Sequence, residues 1–315
     1  MRVFHTLPDP PLDAPCNLAI GNFDGVHRGH QALLSAMIED ARLHGRHAGL
    51  LTFDPHPSAV LRPDRVHSYL TTMAERLEAL AELPLDFAVV YPFSLETART
   101  PARDFVGTVQ QALRMAALWV GPDFALGRNR EGDVGALQGM GQELGFDLHV
   151  IEPQLLDGEE VRSGRVRDYL QSGDVQAAAQ QLGRPYQVTG EVVAGAQRGR
   201  GIGFPTANLA VPAGRLLPAN GVYATWAHLD DDPVMRGRRL PSVTNIGVRP
   251  SFDNGERTVE AHLLDFDGDL YGRPLTLLFA ARLRPEQRFP NVDALIAQIG
   301  RDAAAARALL LDDHA

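Results

Sequence analysis

The sequence predicts an α/β chain in two parts: a parallel sheet covered by helices on both faces, then a small antiparallel β-barrel. Two observations carry this. Through the first half, unbroken apolar runs alternate with stretches whose apolar residues recur every three or four positions, as buried parallel strands and amphipathic helices require. From Tyr186 onward, short alternating strands and turns take over, with almost no helix until Asn291. A length of 315 residues also suits two cores better than one. The change of pattern near residues 182–185 divides the chain into 1–183 and 184–315.

The first strand read from the pattern is Asn17-Leu18-Ala19-Ile20, and Leu33, Leu34, Met37, Ile38 and Ala41 mark one face of the helix that follows. Between them lies Gly21-Asn22-Phe23-Asp24-Gly25-Val26-His27-Arg28-Gly29-His30. A strand, a glycine-punctuated turn and a helix bring backbone amides and a helix N-terminus up to a phosphate. Gly21, Gly25 and Gly29 allow that close approach. His27 and His30, three apart, fall on one side of the helix mouth. Paired imidazoles there can donate to oxygens whose charge grows in a phosphorane-like transition state.

Residues 48–53 read as a second strand, ended by Asp54-Pro55-His56-Pro57, where two prolines are expected to stop pairing and helix alike. Met73, Leu77, Leu80 and Ala81 form a helical stripe, and 87–91 a third strand. A helix over 101–116, a strand over 117–120, a helix over 134–144 and a strand over 147–151 complete the sheet. Ligands on such sheets sit beyond the carboxyl ends of the strands, where the motif turn, the 54–57 loop and the 121–127 loop emerge. Further on, Glu160-Val161-Arg162-Ser163-Gly164-Arg165-Val166-Arg167 enters a helix with a hydroxyl, arginines and a dipole end suited to phosphate. Asp174 caps one more short helix, closed by Gly183.

In the second half, Gly195 to Gly203, with Arg198, Gly199 and Arg200 between, runs into Phe204-Pro205-Thr206-Ala207-Asn208. The spacing is neither the dinucleotide fingerprint nor a Walker loop. A glycine-rich flap set against oxygen ligands still suits a nucleotide and Mg²⁺. Over 257–264, period two puts Thr258, Glu260 and His262 on one face and Val259, Ala261 and Leu263 on the other. Glu260 is a reasonable general base for an alcohol attacking the γ-phosphate of ATP. Asp265-Phe266-Asp267-Gly268-Asp269 has its glycine misplaced for a calcium loop and reads as a hairpin turn into 274–279.

The bulk values exclude several classes. A net charge of −9 argues against non-specific nucleic-acid binding. The single cysteine, Cys16, excludes an intrachain disulfide and a thiolate metal cluster. No segment resembles a signal peptide or is long enough to span a bilayer. The expectation is a cytoplasmic protein with small-molecule substrates and no membrane partner, monomeric or weakly homo-oligomeric.

The His-x-Gly-His turn resembles that of the nucleotidylyltransferases. In its ten-residue form it resembles the bacterial bifunctional riboflavin kinase/FMN adenylyltransferase (FAD synthetase) family. The resemblance covers nearly the whole chain and its motifs occur in the family's order. It implies a Rossmann-like adenylyltransferase domain followed by a kinase barrel, with Mg²⁺ and ATP, and riboflavin, FMN and FAD as substrates and products. By it, ATP for adenylyl transfer is held by Gly21, Phe23, Asp24, Gly25, His27, Gly29, His30, Ser163 and Arg167. FMN there is held by Asn22, Pro55, His56, Pro57, Asp123 and Phe124. In the kinase half it assigns the nucleotide to Gly195, Arg198, Gly199, Arg200, Gly203, Pro205, Thr206 and Asn208. It gives the metal to Thr206 and Asn208, and the chemistry to Glu260, His27, His30 and Asn208. Arg162 and Gly164 depart from the family's Ile-Ser-Ser-Thr-x-Ile-Arg pattern, where serine and threonine stand. The residues thus leave open a kinase whose adenylyltransferase half is degenerate, or a flavin-binding protein without turnover.

Overall fold

The structure is a computed structural model that describes residues 1–65, 67–195, 201–229, 237–248 and 257–312. They form two compact units, Met1–Ser163 and Gly164–Ala315.

In the first unit the strands of the main sheet are β1 (Arg2–Phe4), β2 (Cys16–Ile20), β3 (His47–Asp54), β4 (Phe87–Pro92) and β5 (Met115–Val120). Two short hairpin strands follow, β6 (Ala125–Leu126) and β7 (Gly132–Asp133), and then β8 (Asp147–Val150) closes the main sheet. A second small hairpin pairs β9 (Leu155–Leu156) with β10 (Glu159–Glu160). The order β1-β4-β3-β2-β5-β8 is parallel throughout. Successive strand residues go to opposite cores. Leu18, Ile20, Leu51, Val89 and Leu118 pack on one side, while Ala19, Leu50, Ala88 and Trp119 pack on the other. Burial on both faces is why these strands read as unbroken apolar runs.

The covering helices are α1 (Arg28–Leu43), α2 (Pro57–Leu61), α3 (Met73–Ala81), α4 (Leu95–Arg99), α5 (Ala102–Leu113) and α6 (Val134–Leu144). On α1, Leu34, Met37, Ile38 and Ala41 are buried, the face read from the sequence. Two expectations fail locally. The helix expected over 101–116 ends at Leu113, because Arg114 turns left-handed (φ 49°) and Met115 already belongs to β5. Pro57 starts α2 rather than stopping it, since at the first helical position the missing N–H breaks no helical bond.

The second unit takes in α7 (Ser163–Ser172) from its second residue and α8 (Val175–Leu182). Asp174 Oδ1 accepts from Ala177 N at 2.9 Å, and Gly183 ends α8 in the left-handed region (φ 78°). Strands β11 (Tyr186–Val193), β12 (Ala207–Ala210), β13 (Gly221–His228), β14 (Arg239–Val248), β15 (Arg257–Leu263) and β16 (Pro274–Arg284) follow, then α9 (Val292–Asp312). They close as β11-β12-β15-β14-β13-β16, antiparallel at every seam. The segment 265–269 is not the hairpin turn expected from sequence. β15 pairs with β12 and β14, and β16 with β11 and β13, so the segment crosses one end of the barrel. Helix α8 packs on β11 and β16, which groups it with the barrel although the sequence pattern changes only after it.

Candidate active sites

The motif turn between β2 and α1 is an unusual backbone path. Phe23 (φ 48°), Gly25 (φ 85°) and Val26 (φ 43°) all lie in the left-handed region. For a β-branched residue such as Val26 this costs on the order of 1–3 kcal/mol, and the surroundings must enforce it. Val26 is buried, its N–H donates to Phe23 O at 3.0 Å, and its carbonyl accepts from Gln31 Nε2 at 2.8 Å. The Asp24 carboxylate is the anchor. Oδ1 accepts from Leu70 N at 3.0 Å, from Thr71 N at 3.1 Å and from Thr71 Oγ1 at 3.2 Å. Arg76 Nη2 stands 3.6 Å away, and both side chains are 3% exposed. Asp24, expected among the ATP ligands, has its carboxylate bound inside the fold. It holds the turn in shape.

His27 caps α1: its Nδ1 accepts from His30 N at 3.3 Å. An accepting Nδ1 places the proton of the neutral ring on Nε2, which is left as the donor. The His30 ring stacks on His27 with centroids 3.6 Å apart, and Phe23 meets His30 edge-on at 5.2 Å. Burial, then the charges of His27 and Arg76, hold the His30 imidazole well below its ordinary 6.5. The His30 imidazole at the helix mouth is therefore held in its neutral form. A side chain at Gly29 would put Cβ 3.2 Å from the His27 ring and 3.2 Å from Val161 O, so glycine lets the 161–163 segment close on the turn. Ser163 Oγ then donates to Asp24 O at 2.9 Å. The two phosphate-suited motifs of the first half thus meet, and Arg167 lies one turn further along α7.

The remaining expected residues of this half stand on loops after β2, β3 and β5, all at the carboxyl end of the sheet. Asn22 O accepts from Thr52 Oγ1 at 3.1 Å. His56, between Pro55 and Pro57, caps α2, its Nδ1 taking Ser58 N at 3.1 Å. Asp123 O accepts from Arg130 Nη2 at 3.0 Å, and Phe124 packs on the α5 side of the core.

In the barrel, two cavities adjoin. One, of about 590 Å³, is lined by Gly195, Pro205, Thr206, Asn208 and the 266–271 segment. The other, of about 370 Å³, is lined by Phe204, Thr206, Asn245, Glu260, His262 and Phe289 among others. Thr206 belongs to both walls. Register explains the grouping: Glu260 stands opposite Asn208 on β12 and opposite Asn245 on β14. Gly195 is required by packing, since a Cβ there would fall 2.2 Å from Asn208 Nδ2. Gly203 turns left-handed (φ 86°) ahead of Pro205. Arg198, Gly199 and Arg200 lie outside the described residues.

Residues 9–165 match the FAD synthetase family profile and residues 182–310 the riboflavin kinase profile. The bifunctional riboflavin kinase/FMN adenylyltransferase of Escherichia coli K12 is 39% identical over 98% of this chain and 96% of its own. The chain belongs to this bifunctional family. The family's protein from Pseudomonas fluorescens is 38% identical over 98% of this chain and 97% of its own. A crystal structure described as a macrolide-efflux protein from Streptococcus pneumoniae superposes with a TM-score of 0.87. It is 26% identical and covers 97% of this chain and 98% of that one. That description concerns the other protein; among the described residues here, no helix is long and apolar enough to cross a membrane.

Within this family framework, sequence reading missed several walls of the barrel cavities. Leu270 and Tyr271 border the larger one, and Arg284, Phe289, Leu295 and Ile299 the smaller. They come from the cross-barrel segment, the end of β16, the loop after it and α9, none of which carries a motif. Asn245 joins them through register alone: the β14–β15 pairing sets it opposite Glu260.

Proposed function

We propose that the barrel transfers the γ-phosphoryl group of ATP to the ribityl 5′-hydroxyl of riboflavin, and that the parallel-sheet unit then transfers AMP from a second ATP to FMN. The products are FMN and ADP, then FAD and pyrophosphate. The observation that carries the reading is the pair of cavities meeting at Thr206, one lined by Gly195 and Asn208 and the other by Glu260. The Gly195-side cavity suits the nucleotide. The second, walled by Phe204, Phe289, Leu295 and Ile299, suits the flavin ring.

In the kinase step Glu260 takes the hydroxyl proton as the new P–O bond forms and the β–γ bridge breaks. Thr206 and Asn208 supply hard oxygen donors on the edge shared with the phosphates, which fits Mg²⁺ held partly by protein and partly by substrate. No cluster of three acidic, His or Cys residues stands among the described residues as an alternative metal site. When bound, the ion neutralises charge on the transferring phosphoryl group. In the second step an FMN phosphate oxygen attacks the α-phosphorus and pyrophosphate leaves. His27 and His30, with the α1 amides, donate to the oxygens gaining charge, and the main-chain amide of Ser163 and the Arg167 guanidinium hold the phosphates that depart. FMN is held by Asn22, Pro55, His56, Pro57, Asp123 and Phe124. The acidic charge of −9 supports small molecules over nucleic acid as partners of a cytoplasmic enzyme, monomeric or weakly homo-oligomeric.

Incubation with riboflavin, ATP and Mg²⁺, followed by chromatography, tests the reading. FMN and FAD together support it. FMN alone would identify a kinase with a degenerate second site, and neither product a flavin-binding protein. His30→Ala should abolish FAD formation and spare FMN. Glu260→Gln should lower FMN formation by about 10²–10⁴-fold while FAD still forms from supplied FMN.

A further inference from the structure

Resting on the assignment of the barrel as the kinase half, we propose that His262 is a positioning residue for phosphoryl transfer. It holds Thr206 in place through the main chain of Pro205. His262 Nδ1 lies 2.8 Å from Pro205 O. A carbonyl only accepts, so the ring carries a proton on Nδ1 and donates it. The same ring meets Phe204 edge-on, with centroids 5.4 Å apart. Two successive residues at the entry to β12 are thereby clipped to β15.

The need for such a clip follows from Pro205 itself. Proline has no N–H and cannot donate to the strand ladder, so the chain entering β12 lacks a backbone tie at that point. Ala207 pairs with Ala261, and continuing that register by one residue sets Thr206 opposite His262. Period two puts His262 on the face of Glu260, so base and clip share one rigid strand. Thr206 lines both the nucleotide-side and the Glu260-side cavities, and a shift of its segment would misalign acceptor and phosphate together. His262 is therefore assigned no proton transfer: it fixes the distance between the two substrates.

The test measures FMN formation by the full chain at saturating MgATP, with kcat and the KM for riboflavin separated, below the melting midpoint of every variant. His262→Ala should lower kcat by about tenfold to a hundredfold, the range that a misplacement near 1 Å produces, with little change in KM. His262→Asn, whose Nδ2 occupies the place of Nδ1 and can donate to the same carbonyl, should recover most of the rate. His262→Gln, whose amide reaches the Nε2 position, should not. If His262→Ala fails to fold, the Asn and Gln pair carries the same comparison. Unchanged kcat in His262→Ala, or an Asn variant as slow as the Gln or Ala variant, overturns the proposal. A wild-type chain that makes no FMN overturns the kinase assignment and this inference with it. A wild-type chain that makes FMN and an unaffected Ala variant remove the inference alone.

Discussion

The hydroxyl of Ser163 donates to the main-chain oxygen of Asp24 at 2.9 Å, joining residues 139 positions apart. This bond ties Ser163, the first residue of α7, to the motif turn. Arg162 and Gly164 flank it, both exposed, and a Cβ at Gly164 would meet nothing within 4 Å. Gly164→Thr should therefore fit without strain and add a hydroxyl for a phosphate oxygen, a charge-assisted contact worth roughly 1.5–3 kcal/mol. Arg162→Ser should slow FAD synthesis strongly, and the double variant should recover much of the loss. A double-mutant cycle on kcat/KM for ATP reads the coupling; strict additivity, with Arg162→Ser harmless, would count against compensation by Arg162.

Asp24 and Arg76 form a buried pair. Asp24→Ala leaves the guanidinium without its carboxylate and the 70–71 amides without their acceptor. The expected loss is about 3–5 kcal/mol of stability in the first unit, read by urea unfolding, with FAD formation falling in parallel.

His30 gives a pH dependence of definite sign. Its folded pKa lies below the ordinary 6.5, so the unfolded chain binds a proton that the folded unit refuses. Stability is full above about 6.5 and drains as pH falls from there towards the folded value. Urea midpoints for the first unit should decline between about pH 6.5 and 5, and His30→Gln should flatten that decline.

Gly195→Ala tests the second cavity. The added methyl collides with the Asn208 amide and displaces it. FMN formation should drop about tenfold to a hundredfold while FAD formation from supplied FMN continues.

Fragments test the division of activities at 183/184. A fragment of residues 184–315 should make FMN, since the cavity walls lie within it. It should nonetheless melt below a fragment of residues 164–315. Val175, Ala178 and Leu182 of α8 are buried, and the two large side chains alone are worth roughly 3–6 kcal/mol.

How much of this was legible in the sequence varies with the kind of signal. The motif turn, α1 and the sheet strands were legible because local spacing alone determines them, as with Leu34, Met37, Ile38 and Ala41. The edge strand β1 was missed, for three residues leave no measurable period. The role of Asp24 was hidden because its partners, Leu70, Thr71 and Arg76, lie far along the chain. The error at 265–269 has the same root: adjacency in sequence suggested a hairpin, and only the barrel order shows that β15 and β16 are not neighbours. Asn245 and Arg284 join one cavity wall through register and closure, which composition does not encode.

The closure of the barrel has a consequence for biosynthesis. Its first strand seals against its last, Tyr186 pairing with Phe279. During translation β11 leaves the ribosome with one edge open and must wait for β16, nearly a hundred residues later, to shut it. The parallel sheet needs nothing beyond β8 and can be finished by then. A ribosome arrested before Arg284 should thus carry a folded first unit and an unsealed second one, distinguishable by limited proteolysis of the stalled chain.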